Sequence, residues 1–176
     1  MNTSVKYGII GGAIFASLLI TFYVFKIYEI SLLARLLGGL DIFALMIIIL
    51  LGIKEKKRKS DHLINYRDAI TTGLTINLII AITQSLTLFL LFKFWVSGFD
   101  QFKAYTITHE TMSMKRFELT PSEIIKNIEI IKTELTPFNS AKINFMKLLL
   151  IGLILTLVIS FFQRNKIDNT PTITKA

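Results

Sequence analysis

Asp41 is the chain's most informative chemical group, because it interrupts an apolar run that carries no other charge between Arg35 and Lys54. A carboxylate in such surroundings requires a bound proton or a partner. Its chemistry is therefore a structural ion pair or hydrogen bond, or else the loading and release of a proton. Antiparallel helices would bring Lys26, Gln84 and Thr87 to similar depth. On a later apolar stretch Asn77 and Gln84 share a helical face with Gly73 and Ala81, and their amides are costly against lipid tails. Asp41, Asn77 and Gln84 form the candidate intramembrane polar site, read first as adhesion between helices and second as a transport path.

Little else could carry a reaction. His62 and His109 fall in different polar segments, predicted on opposite sides of a membrane, which removes a shared metal site. With no cysteine, thiol catalysis, disulfides, iron–sulfur clusters and cysteine-ligated zinc are excluded. HExxH, a phosphate-cradling glycine loop and G-x-S-x-G are all missing. No catalytic, metal-binding or cofactor-binding residue is assigned, and a non-enzyme without a cofactor is expected.

The elements that must position these groups follow from composition. Hydrophobic residues make up 52% of the 176 and charged residues 18%, with a mean hydropathy of +0.59. A soluble domain of this size could not hide so much apolar surface, and here it is gathered into four blocks. No charge falls between Lys6 and Lys26; that run of 19 residues is roughly 28 Å long as a helix, close to the hydrocarbon thickness. Bulky Phe22, Tyr23 and Phe25 at its end give no cleavage site, so it is read as a retained span. Spans are predicted at 7–25, 36–53, 69–92 and 143–163, and Lys147 in the last is expected to snorkel outward. Small residues spaced by four, Gly8, Gly12 and Ala16 on the first helix and Gly152, Thr156 and Ser160 on the fourth, should let helices approach closely. Close packing is also expected to explain the pairs Gly11-Gly12 and Gly38-Gly39, while Trp95, Tyr7, Tyr23, Tyr28 and Tyr66 fall where an aromatic belt belongs.

Orientation follows the short polar segments. The predicted loop 54–68 carries Lys54, Lys56, Lys57, Arg58, Lys59 and Arg67. With Lys6, Arg164, Lys166 and Lys175 this places ten Lys/Arg within 34 residues on one side, against ten within 65 on the other. The denser side is cytoplasmic and so are both termini. Lys54, Lys56, Lys57, Arg58 and Lys59 are read as a topology anchor attracted to anionic lipid by about 1 kcal/mol per residue. Nucleic-acid binding is not expected, since no aromatic residues interleave the run.

Residues 93–142 should fold as an extracytoplasmic helical insertion. Thr120-Pro121-Ser122-Glu123 reads as a capping box with proline at the first helical position. Ile124, Ile128, Ile131 and Leu135 then form one apolar stripe until Pro137 stops the helix. Upstream, Phe99, Phe102, Tyr105, His109 and Met112 predict a second amphipathic helix and hence a hairpin. The two apolar faces are expected first to pack on each other, which satisfies both without another molecule; lying on the membrane surface and docking a partner are the alternatives, and for the last the stripe Ile124, Ile128, Ile131 and Leu135 is the candidate external interaction face. The expected fold is all-α: a four-helix transmembrane bundle with an extracytoplasmic hairpin between helices 3 and 4. The expected function is a non-enzymatic interaction or assembly module whose partners are the bilayer and a membrane protein or second copy. The alternative is a small transporter or transporter subunit using the polar residues around Asp41.

The stretch Leu51-Gly52-Ile53-Lys54-Glu55-Lys56-Lys57-Arg58-Lys59, followed by Ile64-Asn65-Tyr66-Arg67-Asp68-Ala69-Ile70-Thr71-Thr72-Gly73-Leu74, resembles a pattern in domain-of-unknown-function family 4199. The opening Lys6-Tyr7-Gly8 is also similar, although the Asp-Pro common where the third helix exits is Asp100-Gln101 here. The resemblance implies a four-span protein of the bacterial cytoplasmic membrane, mostly Gram-negative, with no established activity and no catalytic residues to carry over.

Overall fold

A computed structural model describes residues 2–164 of the chain. Lys166 and Lys175, counted above for orientation, lie outside the described residues. Six α-helices and one short 3-10 turn account for nearly all of the described chain: α1 (Thr3–Val24), the turn (Ile27–Glu29), α2 (Ser31–Lys59), α3 (Tyr66–Phe94), α4 (Val96–Arg116), α5 (Pro121–Glu134) and α6 (Pro137–Gln163). The described residues contain no strand. Four of the helices, α1, α2, α3 and α6, are long and apolar enough to cross a membrane.

Local chemistry explains where the helices begin. Asn2 accepts from the Ser4 amide at the head of α1, and Asn65 accepts from the Asp68 amide at 2.7 Å at the head of α3. Thr120 and Glu123 close the capping box of α5. The Thr120 hydroxyl and amide both donate to the Glu123 carboxylate, holding that group below the usual carboxylate range.

The helices differ from the predicted segments in two places. Residues 54–59 are not a loop, because α2 continues through Lys59 and the connection to α3 is only 60–65. Lysine and arginine are good helix formers, so the helix runs on after its apolar stretch ends. Pro137 does end α5 but also starts α6 at its first position, with the Thr136 hydroxyl accepting from the Asn139 amide. The last helix is 27 residues long, and its first residues belong to the segment assigned to the insertion.

α3 is the central helix, packed most extensively against α1 and α6. Close approaches fix the register. Gly8, Gly11 and Gly12 of α1 face Ile79, Ile80 and Thr83 of α3, so the two run parallel. Gly73 faces Thr156 and Gly152 faces Asn77, so α6 runs antiparallel to α3. Phe15, Leu45, Ile49, Ile53, Ile76 and Ile80 fill the space between them, each no more than 1% exposed. The polar pattern is inverted relative to a protein in water. Asn77, Gln84, Thr156 and Ser160 are buried, whereas Leu36, Leu40, Phe43, Ile47 and Leu51 form an exposed apolar stripe on α2 and Leu78, Ile82, Leu86 and Leu90 one on α3. Such an exterior fits a protein solvated by lipid.

Candidate functional site

Between α2, α3 and α6 lies a cavity of about 60 Å3 whose polar lining is Asp41, Gln84, Asn144 and Lys147. It exists because the first part of α2 stands off the bundle: no described side chain from Leu32 to Ala44 is buried, and Leu45 is the first that is. Gly38 also lines the cavity, and a Cβ at Gly38 or Gly39 would meet nothing within 4 Å. The expected close packing therefore holds for Gly11 and Gly12 and fails for Gly38 and Gly39.

The predicted polar trio separates. Asp41, half-buried, and Gln84, 7% exposed, share the cavity, and Gln84 Oε1 has no hydrogen-bond partner among the described residues. Asn77 does not line it; about two helical turns along α3, its Nδ2 donates to the Leu149 carbonyl at 3.4 Å. Gly152 makes room there for the Asn77 amide. Of the expected Asp41 neighbours, Lys26 is absent from the lining and Thr87 donates to the Thr83 carbonyl of its own helix. Two residues of α6 complete the site instead. Asn144 donates through Nδ2 to Ser85 Oγ at 3.3 Å, and Lys147, exposed on its outer side, lines the same cavity as the carboxylate. The spacing of Asn144, Lys147, Leu148 and Ile151 is one helical face, a signal present in the sequence. The cavity is roomy enough for a few waters. Phe15, Ile42, Leu45, Leu148 and Ile151 line the rest of it.

At the end of the bundle carrying the basic run, Glu55 accepts from Lys59 at 2.7 Å and Lys6 at 3.3 Å. Lys59 also reaches Thr3 Oγ1, and Lys57 donates to the Gln163 carbonyl at 3.0 Å, placing a cation at the C-terminal end of α6. Lys57 and Lys59 of the basic run, together with Glu55, thus tie α1, α2 and α6 to one another, while Lys54 and Arg58 are exposed.

At the opposite end, rings hold α4 against the bundle. Tyr23 and Phe99 pack on Phe92 with centroids 4.9 and 4.8 Å away, and Phe102 lies 5.2 Å from Tyr23 and 5.3 Å from Tyr28. Gly98 admits the Trp95 indole at the break between α3 and α4. α5 lies against α4, with Lys103 donating to the Lys132 carbonyl at 2.9 Å. Ile124, Ile128, Ile131 and Leu135 are half-buried, and Leu135 joins the cluster of Leu19, Leu88, Phe92 and Phe99. That stripe is therefore not a free face. The exposed apolar residues are its flanks, Ile125 at 62% and Ile130 at 44%, which the helical stripe did not single out. Among the described residues no three His, Asp or Glu side chains are grouped to hold a metal.

The family described as Protein of unknown function (DUF4199) matches residues 6–165. The chain belongs to DUF4199. No curated protein matches it, and no solved structure does. In this DUF4199 protein the residues that carry the resemblance lie together. Lys6 pairs with Glu55, Gly52 makes room for the Ile76 side chain beside Tyr7, and Gly73 makes room for Thr156. These are contacts among α1, α2, α3 and α6 near the basic end.

Proposed function

We propose that this DUF4199 protein is a non-enzymatic assembly module of the bacterial cytoplasmic membrane. Its four apolar helices anchor it with both termini cytoplasmic, and its α4–α5 hairpin docks an extracytoplasmic part of another membrane protein. The observation that carries this reading is the exposure of Ile125 and Ile130 beside an apolar stripe already packed on α4. Exposed isoleucines add nothing to the folding of the hairpin, but they supply apolar contact area to a partner. The polar side chains within the bundle support the same reading, because Asn77 and Thr156 sit where Gly152 and Gly73 let α3 and α6 pack closely.

A photo-activatable residue placed at position 125 or at position 130 in native membranes is expected to give one discrete protein adduct. Ile125→Asp with Ile130→Asp should lower adduct yield from a probe at Met112 at least tenfold, with stability changed by no more than about 0.5 kcal/mol. Adducts with lipid alone would overturn the docking role.

A further inference from the structure

A second hollow, of about 460 Å3, runs along the outside of the bundle between α3 and α6. Its walls are Ile82, Leu86 and Phe89 from α3 and Phe138, Ala141 and Phe145 from α6. Its one uncharged polar side chain, Ser85, is engaged by Asn144 Nδ2. Three cross-contacts set the depth of each wall residue: Gly73 with Thr156, Asn77 with Gly152, and Ser85 with Asn144. As α3 ascends, α6 descends residue for residue. Phe138 is therefore level with Leu91, near the end of α3, and Phe145 with Gln84, about seven residues deeper. The groove is roughly 10–14 Å long, close to half of the ~30 Å hydrocarbon thickness and so to the depth of one leaflet.

Two cations stand beside the groove, Lys93 at its shallow end and Lys142 about midway along it. Lys142 lines the groove and is exposed, and Lys93 holds its ammonium 5.6 Å from the centroid of the Phe89 ring, one of the walls. Neither is in an ion pair among the described residues. Long lysine stems reach upward from such positions to the headgroup layer. A transmembrane helix of a partner would press apolar side chains against Lys142; a phospholipid brings an apolar chain to the walls and a phosphate to the ammonium groups.

We propose that this groove binds one anionic phospholipid of the leaflet on the hairpin side, an acyl chain lying among Phe89, Phe138 and Phe145 and the phosphate between Lys93 and Lys142. The site is separate from the hairpin flanks, so it stands whether or not a protein docks at Ile125. The test is native mass spectrometry of the full chain released from nanodiscs of equal phosphatidylglycerol and phosphatidylcholine. One retained phosphatidylglycerol is expected. Lys93→Gln with Lys142→Gln should reduce that retention at least tenfold, each cation being a separate headgroup contact. Leu86→Trp, which fills the groove from an exposed position, should abolish retention of both lipids while the protein stays folded by circular dichroism. Equal retention of the two lipids, retention insensitive to the lysine changes, or a second protein chain protecting the groove would each overturn the proposal.

Discussion

Gly152→Val is expected to destabilise the protein by about 3 kcal/mol or more, measured as the shift in its unfolding midpoint in mixed detergent. The reason lies in the most intimate approach within the bundle. A single Cβ at position 152 would collide with the Asn77 amide, which is buried to 1% exposure. The amide cannot retreat without giving up the Leu149 carbonyl, and burial of an unpaired amide is itself unfavourable by about 1–3 kcal/mol. Helix association in lipid depends on such close contact and has little hydrophobic drive to compensate for its loss. Asn77→Ala should restore room, so the Gly152→Ala, Asn77→Ala double variant should be more stable than the sum of its singles by about 1–2 kcal/mol. A Gly152→Ala protein as stable as the parent, with no coupling to position 77, would mean that α3 and α6 do not meet in this register.

Phe92→Ala is expected to cost about 3–5 kcal/mol, and its effect should be local. Phe92 is 2% exposed and touches three rings from two other helices: Tyr23 on α1, and Phe99 and Phe102 on α4, the last at 5.3 Å. Each such ring pair adds about 0.5–1.5 kcal/mol beyond its area, so no smaller side chain replaces the arrangement. Loss of Phe92 should release α4 and accelerate proteolysis around Phe117, while the Lys6–Glu55 pair at the other end persists. Phe94, two residues on and 78% exposed, is the control: Phe94→Ala should change stability by no more than about 0.5 kcal/mol. Equal effects at 92 and 94 would contradict the ring cluster.

Individual helices were legible where one segment's own chemistry decides the outcome. The apolar runs and the capping box are of this kind. Thr136-Pro137 repeats the Thr120-Pro121 pair, yet a stop reading concealed a start, because proline ends one helix and begins the next with the same missing amide. Contacts between helices were less legible. That Asp41 meets Lys147 in one cavity depends on the register of α2 against α6, which no single helix's periodicity contains. Gly38-Gly39 has the same composition as Gly11-Gly12, but small residues pack only where a neighbour approaches, and α2 stands off there. Asn77 and Gln84 are both buried on α3, yet they meet different partners: the α6 backbone for Asn77 and the cavity for Gln84.

Topology is the claim on which the proposed role rests, and the chain's lack of cysteine makes it directly measurable. Single cysteines replace Glu118, between α4 and α5, and Asp61, between α2 and α3, and a membrane-impermeant maleimide is added to spheroplasts before and after permeabilisation. Four spans with an external hairpin predict that Glu118→Cys is labelled at once and Asp61→Cys only after permeabilisation. Labelling of Asp61→Cys in sealed spheroplasts, or protection of Glu118→Cys, would contradict the account.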